Sequence, residues 1–249
     1  MTMTGFGKPL TRMRSTTYRH TMSEALQEIM ESTKILSLAA LLPLLALGAE
    51  SRDSDFKAAI ASKPNFDNGE ALFEQCVSCH GRDGGGSVTG SIPRIAGQHY
   101  SVLVRQIIDF RYGKRWDVRM EGVMAKHSVL ASNQDIADVA AYVSNLERDG
   151  NRGVGDGYYV ERGAAVYARG CASCHGAAAE GDDARGIPRL SGQHAGYLAR
   201  QIYDAVDARR LPLAETHRKR LVHLDFEEVL GLTDYLSRIG WNLPAETAR

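Results

Sequence analysis

Cys76-Val77-Ser78-Cys79-His80 is the stretch on which the reading of this chain turns. Two cysteines three apart, with a histidine directly after the second, have the spacing of a c-type haem attachment site. Each thiol adds to one haem vinyl group, and the adjacent imidazole reaches the iron from the proximal side. The motif recurs as Cys171-Ala172-Ser173-Cys174-His175, and these four cysteines are the only ones in the chain. The rival readings are a thioredoxin-like dithiol and a zinc site built from the same residues. A dithiol does not need the histidine, and a four-cysteine zinc site does not need two. Two covalently bound haem c groups are therefore expected, one on Cys76, Cys79 and His80, the other on Cys171, Cys174 and His175.

Outward from the two motifs the halves of the chain repeat each other. An offset of 95 maps Cys76 onto Cys171 and carries Ile92-Pro93-Arg94-Ile95-Ala96-Gly97-Gln98-His99 onto Ile187-Pro188-Arg189-Leu190-Ser191-Gly192-Gln193-His194. It also relates Arg105-Gln106-Ile107 to Arg200-Gln201-Ile202, and Asp109 to Asp204. Each half reads as three helices around a haem. The first precedes the attachment motif, with Gly69, Leu72 and Phe73 in one half and Gly163, Val166 and Tyr167 in the other. The second follows the Gly-Gln-His element, with Leu103, Ile107 and Phe110 at helical spacing. The third runs from about Asn133 to Leu146, capped by Ser132 or Asn133, and its counterpart carries Val229, Leu232, Leu236 and Ile239. The fold expected is all-α, with domains over 55–149 and 158–245. The glycine-rich, charged stretch 150–157 suits a linker.

The chain has 249 residues, with 30 basic and 30 acidic side chains, so bulk charge gives no support to nucleic-acid binding. The one long apolar run, Ile35 to Leu47, follows Lys34 and ends in Gly48-Ala49. It reads as the core of an export leader over 1–49, with Met22 or Met30 as alternative starts and an uncleaved single-helix anchor as the alternative role. No other candidate span exists. Export fits the haem reading, since covalent attachment takes place beyond the cytoplasmic membrane, and a periplasmic location with no span after leader removal is expected.

With these features the chain resembles the tandem di-haem class I cytochromes c, and among them the cytochrome c4 family. The two Cys-x-x-Cys-His sites, the Ile-Pro-Arg-x-x-Gly-Gln-His element in both halves and Ala141-Tyr142 near the end of the third helix carry the resemblance, which runs from about Phe66 to Leu243. It implies two tandem class I domains, each of three main helices around a haem. It also implies a methionine as sixth iron ligand, about eleven residues before the acidic residue that opens the third helix. Counting back from Asp135 lands on Met124, with Met120 the other methionine nearby. The second half has no methionine at all. Counting back from Glu228 lands on His217, while the constant offset from Met124 lands on Lys219; His223 and His194 are further candidates. The resemblance places Pro93 and Pro188 where a backbone carbonyl meets the N–H of the proximal histidine. Arg94 and Arg189 are candidates for pairing with haem propionates, or are solvated surface residues.

Methionine raises a haem potential and a second imidazole lowers it, so a high-potential first haem and a lower-potential second haem are expected. Electrons would enter through the second domain and leave through the first. The leading reading is a periplasmic electron carrier without catalytic residues. By resemblance it stands between a respiratory or periplasmic dehydrogenase donor and a terminal oxidase-type acceptor. The alternatives are a haem enzyme with a labile sixth ligand at the second haem, and a subunit of a redox complex. Arg209, Arg210, Arg218, Lys219 and Arg220 make the sequence around His217 strongly basic, either as a docking face for an acidic partner, as steering for an anionic substrate, or as a solvated loop.

Overall fold

The structure is a computed structural model that describes residues 51–124, 129–148, 153–210 and 215–240. The leader at 1–49 and residues 241–245 at the expected end of the second domain lie outside the described residues. Among the described residues no helix is long and apolar enough to cross a membrane. Those from Arg52 onward form one compact unit, built of helices, with two isolated β-bridges.

In the first lobe a helix over 51–61 (α1) leads to α2 (Phe66–Phe73), α3 (Val77–His80) inside the attachment motif, α4 (Tyr100–Arg111), α5 (Val118–Met124) and α6 (Asn133–Asn145). The second lobe follows with α7 (Val160–Gly170), α8 (Ala172–His175), α9 (Ala195–Val206), α10 (Glu215–Leu221) and α11 (Phe226–Arg238). The three main helices per lobe are α2, α4 and α6, then α7, α9 and α11. The short α5 and α10 were not legible as helices, because seven residues hold too few turns for a periodic apolar pattern.

Capping chemistry fixes where the third helix of each lobe begins. Ser132 and Asp135 make a reciprocal capping box at α6, and Asp225 and Glu228 make one at α11. The acidic residues from which the sixth-ligand positions are counted are thus the third helical residues of rigid elements. Glycine decides how the first and third helices cross. An added Cβ at Gly69 would overlap the backbone carbonyl of Asp138, and one at Gly163 would overlap that of Gly231. The α2–α6 and α7–α11 backbones therefore touch, and aromatic pairs close each crossing: Phe73 with Tyr142 at 5.5 Å and Tyr167 with Tyr235 at 5.7 Å between ring centroids.

The first core collects Phe73, Val104, Ile108, Ile136 and Val139, with Phe56 and Ala59 of α1 packed against it. The second is smaller, around Val166, Tyr167, Leu198, Val229 and Leu232. The described end of the connecting segment is pinned. The Gly153 N–H donates to His194 Nδ1 at 2.9 Å, and the Gly155 and Gly157 N–H groups donate to the Asp234 carboxylate at 2.9 and 2.6 Å.

Candidate haem centres

Each attachment motif folds as a single helical turn, α3 or α8, which sets its histidine beside its cysteines. His80 is buried, and its Nδ1 lies 3.1 Å from the Pro93 carbonyl oxygen; His175 Nδ1 lies 3.0 Å from that of Pro188. A proton on Nδ1 donates to the carbonyl and leaves Nε2 as the coordinating lone pair, which fixes both the tautomer and the ring orientation. Burial pushes both imidazoles below their ordinary pKa, against the opposing hydrogen bonds to Pro93 and Pro188, so both rings are neutral at pH 7. Burial also raises the Cys76 thiol to about 11. A redox dithiol works through a thiolate of depressed pKa, the opposite of this environment. Among the described residues no group of three His, Cys, Asp or Glu side chains is arranged to hold a metal ion.

A cavity of about 240 Å³ opens beside His80, walled by Phe73, Leu103, Val123, Met124, Leu130 and Val139 and by residues of the second lobe. Met124, at the end of α5, is 5% exposed and lines this cavity, and Met120, one turn earlier on the same helix, lines it too. In the second lobe α10 sets the His217 ring opposite His175, with centroids 6.3 Å apart and planes 41° apart. Two imidazoles bound at about 2.0–2.1 Å on opposite sides of one metal have ring centres roughly 6 Å apart. His217 is exposed. The chain packed around it, the His175 ring whenever that is protonated, and the Arg210 and Arg220 guanidiniums push its pKa down to about 4, so the coordinating neutral form prevails. Lys219 points to Glu215 at 3.1 Å, both side chains exposed. His223 is exposed, and His194 is buried with both ring nitrogens engaged by backbone partners.

The repeated Gly-Gln-His element joins the lobes. Gln193 accepts from the Arg94 N–H at 2.9 Å and donates to the Arg94 carbonyl at 2.7 Å. Gln98 makes the same pair of bonds to Arg189, each at 2.9 Å. His194 Nε2 lies 2.7 Å from the Gly85 carbonyl and His99 Nε2 lies 2.7 Å from that of Glu180. Every one of these bonds crosses the boundary, so a local twofold relation links the lobes. Sequence reading used the glutamines as family marks and assigned them no contact. Arg94 is 3% exposed, which rules out the solvated-surface reading for it. Arg94 and Arg189 both line the cavity, and Arg189 Nε is a buried donor with no hydrogen-bond partner among the described residues. An apolar cleft with an imidazole, buried sulfur and an unspent buried cation donor on its walls fits a haem with its carboxylates. Arg210, grouped in sequence with the basic stretch around His217, sits instead at the lobe boundary, where it donates to Gln106 at 3.1 Å.

Two such lobes in tandem, each with its own attachment motif, define the class: a di-haem c-type cytochrome. The sequence model of the cytochrome c family matches residues 66–147 and again 160–239. Cytochrome c4 of Pseudomonas aeruginosa is 30% identical over 178 residues, 68% of this chain and 85% of that one. The thiosulfate dehydrogenase electron acceptor of Stutzerimonas stutzeri is 32% identical over 136 residues, 51% of this chain and 61% of that one. The crystal structure of reduced recombinant cytochrome c4 from Pseudomonas stutzeri matches with a TM-score of 0.63 at 26% identity, covering 71% of this chain and all 100% of that one. The chain belongs to the cytochrome c family, as a cytochrome c4-like electron-transfer protein with two covalently bound haem c groups.

Proposed function

We propose that this protein is a periplasmic carrier that takes electrons in at its second lobe and passes them out from its first, with no substrate chemistry of its own. One haem per lobe supplies reversible one-electron exchange. Cys76 and Cys79 hold the first covalently, with His80 and Met124 as the iron ligands. Cys171 and Cys174 hold the second, with His175 and His217. Pro93 and Pro188 orient the proximal rings, and Arg94 and Arg189 meet propionates. The observation that carries this reading is a difference between the lobes: a buried thioether on the wall of the cavity beside His80, and an imidazole facing His175. A thioether favours ferrous iron and an imidazole favours ferric, so the second lobe is the low-potential entry and the first the high-potential exit. Resemblance to a protein named as the electron acceptor of a dehydrogenase supports a dehydrogenase-type donor, with a terminal oxidase-type acceptor downstream.

A potentiometric titration tests the proposal. The expected result is two resolved midpoints, with the lower one assigned to the second haem. His217→Ala is expected to make that haem alone high-spin and open to carbon monoxide. Two superimposed midpoints would sink the directional reading. Rapid carbon monoxide binding by the reduced native protein would favour a haem enzyme with a labile ligand, the reading suited to the exposed position of His217.

A further inference from the structure

Arg115 and Arg210 are related by the same offset of 95 that relates the haem motifs, and the fold brings the two together. They form an isolated antiparallel bridge across the lobe boundary. Arg115 donates to Gln106 Oε1 at 2.7 Å, to Gln201 Oε1 at 2.9 Å and to the Tyr197 hydroxyl. Arg210 donates to the same Gln106 oxygen at 3.1 Å. All of these acceptors are neutral. Asp109 and Asp204 act on Arg210 through space, but Asp109 is engaged by Arg52 at 3.7 Å and Asp204 by Arg209 at 3.6 Å.

Both arginines line the cavity that holds His80 and Met124, in company with Arg94, Arg189 and Arg200. Among the described residues on that wall the one acidic side chain is Asp117, and it is bonded to Arg119 at 2.9 Å. Burial, and then repulsion from Arg115, pulls Arg210 down to about 10. Two adjacent guanidiniums with neutral partners in a partly dry cleft leave positive charge uncompensated, which is costly unless an anion enters. A planar fork of donors suits a carboxylate, and a haem c brings carboxylates to this cavity.

We propose that Arg115 and Arg210 hold a propionate of the first haem between them, so that a residue of the second lobe sets the potential of the first haem. This rests on the reading that the cavity takes a haem ligated by His80 and Met124. Ferric haem carries one more positive charge than ferrous, so a nearby cation favours reduction and its removal lowers the midpoint. One charge acting across about 10 Å at an effective dielectric constant of about 20 shifts the reduction equilibrium by roughly tenfold, about 59 mV for one electron.

The test is spectroelectrochemical titration of the full di-haem protein carrying Arg210→Gln, Arg210→Lys or Arg115→Gln. Arg210→Gln is expected to shift the reduction equilibrium of the first haem by about tenfold toward ferric iron while the second haem moves far less. Arg210→Lys, which keeps the charge, is expected to stay within about twofold of the native value. Arg115→Gln is expected to repeat the shift and guards against a folding defect peculiar to position 210. An unmoved first midpoint, or an equal shift of both haems, in variants with two haems and the methionine–ferric charge-transfer band intact, overturns the proposal. Absence of that band from the native protein overturns the ligand reading instead, and the proposal with it.

Discussion

At the scale of single residues, side-chain amides join the two lobes. Gln193 satisfies both the N–H and the carbonyl of Arg94, and all three groups are buried. Truncation would leave two buried backbone groups without partners, each costing about 1–3 kcal/mol. Gln193→Ala is therefore expected to lower stability by about 2–4 kcal/mol in denaturant titration of the holoprotein, and Gln98→Ala by less, since Arg189 is only half-buried. A loss within about 0.5 kcal/mol, the range of ordinary surface substitutions, would show that water replaces these bonds. The glutamines stood in the sequence as a repeated pair, yet their partners did not. A repeat reports that two segments are alike and says nothing of whether they touch. The attachment motifs were legible because covalent chemistry sets the spacing of Cys76, Cys79 and His80 locally. The counts that lead back to Met124 and His217 start from fixed points, because Asp135 and Glu228 are locked into capping boxes. Arg115 and Arg210 carried no local signal, since what distinguishes them is spatial: the side chains that accept their hydrogen bonds among the described residues are neutral.

Among the elements, the helix crossings tolerate less change than the helix ends. Gly163→Ala places a methyl group against the Gly231 carbonyl and the Leu232 N–H of α11, which are backbone atoms that cannot rotate aside. Separation of α7 from α11 is expected to cost about 1–3 kcal/mol, as overpacking does, and to loosen the second haem crevice. Ser132→Ala removes one half of the α6 capping box and is expected to cost about 1 kcal/mol with the first haem environment unchanged. Thermal unfolding followed in the haem absorption bands separates the two. Equal losses, or an unperturbed second haem in Gly163→Ala, would contradict direct backbone contact at the crossing. Both crossing glycines were read as part of the first helices from apolar periodicity. What the periodicity did not carry was α1, whose Ala59 is fully buried against the first core, nor α5 and α10, which carry Met124 and His217. Those short helices are held by tertiary packing, and their sequences hold no stripe long enough to announce them.

For the molecule as a whole, His194 makes the union of the lobes depend on pH. Its ring is 1% exposed, accepts through Nδ1 from the Gly153 N–H of the connecting segment, and donates through Nε2 to the Gly85 carbonyl of the first lobe. Only the neutral ring can make both bonds. Burial, opposed by the Gly85 bond and helped by the nearby Arg94 guanidinium, holds its pKa below the ordinary 6.5. The unfolded chain therefore binds a proton at a higher pH than the folded one. The stability this ring contributes is complete above about pH 6.5 and is lost as the pH falls from there toward the folded-state value, at up to about 1.4 kcal/mol per pH unit. His80, His175 and His217 do not add to that slope in the holoprotein if they are bound to iron, because the metal holds them unprotonated. Denaturant unfolding of the holoprotein at steps from pH 8 to pH 5 is expected to give a plateau and then a decline, and His194→Gln is expected to be less stable on the plateau and flatter below it. A decline of equal slope in His194→Gln would assign the acid sensitivity to other groups and leave the boundary between the lobes indifferent to pH.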